Sequence, residues 1–297
     1  MYHFIPINYE GGIWRPPSES NSLILQITIG CSHNECIYCV SYREKTFRVR
    51  KINKVKDDIL KLVKHGINPT KIFLADGNAL VMNTQDLLEI LSFLYKQFTK
   101  LNRVGIYANA NDILNKGNKD LKQLQEAGLS IIYMGMETGN LKLLKFIKKG
   151  TTPQMNERAQ IIVKNADIIL STMIILGLAG NDNEFANSHI SDTATSLNKV
   201  NPDYLAALTL MVPKSTQIEI MVKQGTFSPQ TTEGIVNELY HLVDLLTGLE
   251  NCVFRTNHAS NYLPMKGILS QDRKQLLNTI QRAKEENIFR KEEYRGL

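Results

Sequence analysis

Long apolar runs are missing from this sequence. No stretch approaches the ~20 residues that a bilayer-spanning helix needs. The start, M-Y-H-F-I-P-I-N-Y-E, lacks a basic region followed by an apolar stretch, so no signal peptide is expected and cytoplasm is the default location. No low-complexity segment or short repeat appears. Apolar and charged fractions are ordinary, which excludes disordered and fibrous classes. Cysteine is scarce as well, with four in 297 residues, three of them within nine positions. A secreted disulfide framework would spread its cysteines, whereas a tight group in a cytosolic chain points to metal or redox chemistry. The fourth, Cys252, stands alone and reads as a small buried apolar residue.

The net charge of +6 is modest for this length. The densest basic stretch, Arg43 to Lys56, reads most simply as a solvated loop and helix start. Attraction of an anionic partner is the second reading.

What is present is alternation. Short β-branched runs at 22–29, 71–75, 103–108, 129–136, 167–176 and 204–211 predict strands. Amphipathic segments at 55–63, 120–127, 141–147, 153–165 and 184–200 predict helices, with a further one capped by Asn83 or Thr84. Six β-then-α units imply a parallel α/β sheet. A partial (β/α)6 barrel of the TIM type is expected, a flat doubly wound sheet being the alternative. Both place function at the carboxyl ends of the strands. The expected division is an N-terminal segment at 1–20, the partial barrel at 21–213, and a C-terminal extension packed on it at 214–297, with helices at 231–249 and 270–288 and a short strand at 253–256.

The cysteine group, Gly30-Cys31-Ser32-His33-Asn34-Glu35-Cys36-Ile37-Tyr38-Cys39, follows the first strand. A [4Fe–4S] cluster usually takes four thiolates; Cys31, Cys36 and Cys39 supply three and leave one iron open. The same stretch with His33 makes a Cys3His set of the kind zinc takes. Structural zinc sites usually pair two ligand hairpins, and no second C-x-x-C occurs, which favours the cluster.

The run R-P-P-S-E-S-N-S-L-I-L-Q-I-T-I-G-C-S-H-N-E-C-I-Y-C-V-S-Y-R resembles the radical S-adenosylmethionine (SAM) superfamily. Within it, the elongator, methylthiotransferase and oxygen-independent coproporphyrinogen oxidase branch is the most similar. The resemblance runs from about Arg15 to Met211 and returns at Asn257–Gly267. One departure is plain: four residues separate the first two cysteines, where the superfamily usually has three.

The resemblance implies an oxygen-sensitive enzyme with two cofactors, a [4Fe–4S] cluster and S-adenosyl-L-methionine. It implies cluster ligation by Cys31, Cys36 and Cys39, with Tyr38 beside the SAM adenine. Asp76 and Gly77 after the second strand, Asn109 after the third, Glu137 after the fourth, Gly177 after the fifth and Met211 after the sixth are the expected SAM contacts. Each also has a plain reading, as a turn, a helix cap or a strand end. The polar segment 255–262 is a candidate substrate wall, with His258 or Tyr262 as a proton or hydrogen-atom donor.

The expected reaction is reductive cleavage of SAM to a 5′-deoxyadenosyl radical that takes hydrogen from an unidentified substrate. No second cysteine group is present for an auxiliary cluster, and no added cobalamin or RNA-binding domain is evident. A small molecule is therefore favoured over nucleic acid, with flavodoxin or ferredoxin as electron donor and no membrane partner. The rival reading is a zinc-stabilised protein that binds nucleic acid or modifies RNA.

Overall fold

The computed structural model describes residues 5–296. The chain is an α/β protein of two compact units. The first comprises the chain up to Asn34, Ser41–Met134 and Ile161–Leu170. Its sheet holds β1 (Leu23–Gln26), β4 (Lys71–Ala75), β5 (Arg103–Ala108) and the start of β6 (Leu129–Glu137), neighbours in that order and all parallel. Crossovers run through α1 (Ile52–Lys64), α2 (Thr84–Gln97) and α3 (Ala110–Glu126). Asn83 caps α2 and Asn109 caps α3, each accepting from a backbone N–H three residues on. Strand β1, apolar from Leu23 to Leu25 and buried at every position, suits a parallel sheet covered on both faces.

The expected strand at 22–29 is broken in two. The carboxyl end of β4 is reached at Ala75, whose carbonyl accepts from Ile27 N–H at 2.7 Å. Beyond it no partner remains in β4, so β2 (Thr28–Ile29) pairs antiparallel with β3 (Arg48–Val49) instead. The expected helix at 120–127 is longer: α3 starts at Ala110 and passes through a kink at Gly117.

A buried acid ties down the amino end of the first unit. Glu19 is fully buried and accepts from Arg103, Tyr133 and Ser22. Tyr133 also meets Ser18 and lies edge-on to Phe73 and Tyr107.

The second unit comprises Glu35–Val40, Gly135–Gln160 and the chain from Ser171 onward. After α4 (Leu141–Phe146) and α5 (Pro153–Asn165) come β7 (Ile169–Leu176), α6 (Asn183–Val200), β8 (Tyr204–Thr209) and α7 (Gln217–Lys223). Then follow α8 (Thr232–Leu245), β9 (Val253–Arg255), β10 (Lys266–Ile268) and α9 (Leu269–Glu285). Strands β7, β8 and β9 are parallel, and β10 closes the edge antiparallel to β9. Residues beyond Pro213 thus extend this sheet by two strands and cover it with helices. Ile174, Leu176, Leu205, Ala207 and Phe254 turn toward Leu197, Leu239, Leu276 and Ile280 in one core, where Cys252 is also buried as expected. Among the described residues no helix is long and apolar enough to cross a membrane.

Removing one member of a buried, hydrogen-bonded ion pair typically costs about 3–5 kcal/mol, because the other charge stays buried. Glu19→Ala is therefore expected to lower unfolding free energy by about 3 kcal/mol in denaturant titration. A change below about 1 kcal/mol would show that the Glu19 cluster adds little to the fold.

Candidate active site

In the first unit the site is built around Asp76, directly after β4. The residue is fully buried. Its carboxylate accepts from Gln26 Nε2 at 3.1 Å, from Gly30 N–H at 2.9 Å and from Lys45 Nζ at 2.8 Å. Its own N–H donates to Thr28 Oγ1 at 2.9 Å. Gly30 directly precedes Cys31, and Lys45 follows the cysteine loop. One carboxylate thus fastens both ends of that loop. Lys45, within the basic stretch expected to be solvated, is buried instead because it serves this charge. Arg50 of the same stretch is half-buried and pairs with Asp58.

Gly77 is small for a local reason. A Cβ there would lie 2.3 Å from the Tyr42 ring. Asn78, which the sequence does not single out, is buried; its Nδ2 donates to Ser32 Oγ in the loop at 2.5 Å, while its Oδ1 accepts from Asn109 N–H at 3.2 Å. Asn109 Oδ1 caps α3 through Asp112 N–H. Burial pushes the Asp112 carboxyl up, and the Asn78 hydrogen bond and Asn109 N–H partly offset it.

In the second unit the rest of the loop hangs from Ile37, which is 1% exposed. Its N–H donates to Ile147 O and its carbonyl accepts from Ile218 N–H, both at 3.1 Å. The turn is closed by Cys39 N–H to Cys36 O at 3.1 Å. Two half-buried thiols, Cys36 and Cys39, therefore flank a buried anchor. Tyr38 packs on the apolar cluster of Ile37, Ile147 and Ile175. Burial pushes its phenol up, reinforced by the Glu137 carboxylate to which it hydrogen-bonds and by the two thiols.

Glu137 ends β6 at φ 64°, the left-handed region in which non-glycine residues concentrate at functional or strained positions. It is buried and accepts from Lys149 Nζ at 2.6 Å. Its carboxylate folds back over Gly135, where an added Cβ would lie 2.3 Å from Oε1. The next residue, Thr138, meets His189. His189 Nε2–H donates to Ile175 O at 3.0 Å, so Nδ1 accepts from Thr138 Oγ1 at 2.8 Å. Burial holds this imidazole neutral, with its pKa lowered to about 4.

Gly177 N–H donates to Glu238 Oε2 at 2.7 Å. Met211 is half-buried, its sulfur 3.0 Å from Arg295 Nη2. His258 Nδ1 accepts from Ser260 N–H, and the Tyr262 hydroxyl donates to Glu292 under the Arg295 guanidinium. Both polar side chains are thus engaged in holding the 255–262 segment. His189 and Glu238 carry no sequence signal, because each acts on an element distant in the chain, and Lys149 carries none because its partner Glu137 lies beyond α4.

The donor chemistry fits an iron–sulfur cluster: three thiols share one short loop, and two of them flank a turn fixed by a buried backbone. Among the described residues no three His, Cys, Asp or Glu side chains are already gathered as a metal site. Convergence of thiolates on metal is coupled to its binding. The family model of the radical SAM superfamily matches residues 25–189, more than half of the chain. The chain belongs to the radical SAM superfamily. Its cofactors are accordingly a [4Fe–4S] cluster and SAM.

Anaerobic magnesium-protoporphyrin IX monomethyl ester cyclase of Rubrivivax gelatinosus is 27% identical over 188 residues, 63% of this chain and 32% of that protein. This radical SAM chain thus spans about a third of that relative's length. Among solved structures, coproporphyrinogen III oxidase of Escherichia coli aligns with a TM-score of 0.57 at 15% identity, covering 76% of this chain and 52% of its own. Methylornithine synthase aligns with a TM-score of 0.53 at 15% identity over 89% and 81%. These likenesses show the fold, the radical SAM partial barrel expected from the six β-then-α units.

Burial lifts the Glu238 carboxyl from 4.5 to about 7, partly offset by Gly177 N–H. Below the unfolded value both states are protonated. As pH rises toward about 7 the unfolded chain ionises first, so this group's contribution to stability is lost across that window. In wild type the loss is on the order of 3 kcal/mol. Glu238→Gln is expected to remove that part of the decline in unfolding free energy between about pH 5 and 8. An identical decline in the variant would contradict the assignment.

Proposed function

We propose that Cys31, Cys36 and Cys39 ligate the [4Fe–4S] cluster and leave one iron open to the amino and carboxylate groups of SAM. Held there, the cluster and SAM would supply reductive cleavage of SAM and radical hydrogen abstraction from a small-molecule substrate. The single observation that carries the ligand assignment is the loop itself, with three cysteines in nine residues and Ile37 anchored between the last two.

The chain's own residues position these groups. Asp76 works on the loop, fixing Gly30 and Lys45 so that Cys31 starts from a set place. Tyr38 presents an aromatic face beside the adenine, its hydroxyl kept protonated by burial and by Glu137. Glu137, oriented by Lys149, accepts from a SAM ammonium or ribose hydroxyl. Gly77, Asn109, Gly177 and Met211 complete the SAM contacts through small or backbone groups at strand ends. Exclusion of water and oxygen protects the radical. Flavodoxin or ferredoxin supplies the electron. Segment 255–262 borders the substrate, with His258 and Tyr262 as the donor candidates.

Anaerobic reconstitution with iron and sulfide is expected to give a brown protein that forms 5′-deoxyadenosine from SAM under reductant. Cys31→Ala, Cys36→Ala and Cys39→Ala should each lose at least tenfold in that activity (roughly, one missing ligand of three), together with bound iron. Cys252→Ala should keep both. A colourless protein holding one zinc per chain, or equal iron loss in Cys252→Ala, would overturn the reading.

A further inference from the structure

Four side chains cross the sheet of the second unit at one level. Met173 on β7 pairs with Ala206 on β8, Ala206 with Arg255 on β9, and Arg255 with Lys266 on β10. Register partners on adjacent strands project to the same face. Their chain neighbours Ile174, Ala207, Phe254 and Gly267 are buried, and the first three belong to the core with α6, α8 and α9. The row therefore lies on the other face, where Met173, Ala206 and Arg255 are half-buried and Lys266 is exposed. Tyr204, Val253 and Ile268, one level away on the same face, are also half-buried.

A guanidinium is out of place on such an apolar face unless something answers its charge. Arg255 lies over the Tyr204 ring at 5.4 Å, which favours a cation but satisfies no N–H. Among the described residues its Nε is buried without a hydrogen-bond partner. Neither Arg255 nor Lys266 takes part in the ion pairs of this unit among the described residues. Two like charges sit directly opposite in an antiparallel pair, an arrangement that destabilises a sheet by repulsion. An oxyanion between them removes both costs, since a guanidinium offers a planar fork matched to carboxylate or phosphate.

We propose that this face recognises the substrate, and that the substrate is a small organic oxyanion. Its carboxylate or phosphate group is held by Arg255, with Lys266 as the second cation. Its apolar body lies over Tyr204, Met173 and Ala206, the small side chain at 206 leaving room beside the guanidinium. The proposal rests on the reading of the chain as an enzyme acting on a small molecule, and it names that molecule's chemical class.

The test is equilibrium binding to the reconstituted, SAM-loaded protein, with butyrate, inorganic phosphate, butyramide and butylamine as probes. Calorimetry is combined with the arginine Nε–H resonances, that of Arg255 being identified by its loss in Arg255→Lys. Butyrate, phosphate or both should bind and shift the Arg255 signal, while butyramide and butylamine should not. Arg255→Lys should weaken that binding about tenfold, and Arg255→Gln should abolish it (about the loss expected when a charge-assisted fork is removed). Phosphate binding alone marks a phosphorylated substrate, and butyrate binding alone a carboxylate. Equal binding of butyrate and butyramide, no binding of either anion, or unchanged affinity in Arg255→Lys would overturn the proposal. Should Arg255→Gln fail to fold, the lysine variant and the anion–amide comparison in wild type still decide. Formation of 5′-deoxyadenosine by the same preparation reports on the radical reading separately, so failure of one is distinguished from failure of the other.

Discussion

The carboxylate of Asp76 carries a fully buried charge, and a charge taken out of water persists only when donors surround it. Here the donors are the side chain of Gln26 from β1, the backbone of Gly30 and the ammonium of Lys45. The sequence separation is large, but all three are brought to the carboxyl end of β4 by parallel pairing of β1 with β4 and by the short β2–β3 ribbon. The cysteine loop therefore begins and ends at one point of the first unit. A fourth residue between Cys31 and Cys36 lengthens the loop without disturbing where it is tied.

The second unit imposes a different constraint on the same loop. Ile37 is held by two backbone hydrogen bonds within an apolar cluster, so the turn carrying Cys36 and Cys39 has little freedom. Glu137 shows the same economy of position. A strand end in left-handed backbone, a glycine two residues earlier and a lysine from beyond α4 combine to fold one carboxylate back against Tyr38. Buried ion pairs of this kind contribute little net stability against well-packed apolar groups. Their presence here suits orientation more than folding.

Much of this was legible in the sequence because it depends on local pattern. Strands at 71–75 and 103–108 and the helix at 153–165 fall where β-branched runs and helical periodicity place them. The cysteines were visible for the same reason, since soft ligands in one short loop are a local signal. What stayed hidden depends on contacts across long separations. Lys45 looked like one more basic residue in a charged run, and only Asp76, 31 positions away, explains its burial. The strand at 22–29 looked continuous, because nothing in its residues says that β4 stops at Ala75. Asn78, Lys149 and Glu238 look like ordinary surface polars until β4, β6 and β7 give them something to hold. Arg255 reads in the sequence only as part of a polar segment; its place opposite Lys266, on the sheet face away from the core, is a property of the sheet.

We propose that three thiolates from one loop hold the cluster and that SAM binds to it. The most direct measurement is low-temperature electron paramagnetic resonance of the reduced, reconstituted protein, recorded with and without SAM labelled with nitrogen-15 at its amino group. The expected result is a reduced [4Fe–4S] signal that changes shape when SAM is added and gains a hyperfine coupling to the labelled nitrogen. A signal indifferent to SAM, or a protein that holds no cluster when all three loop cysteines are intact, would contradict it.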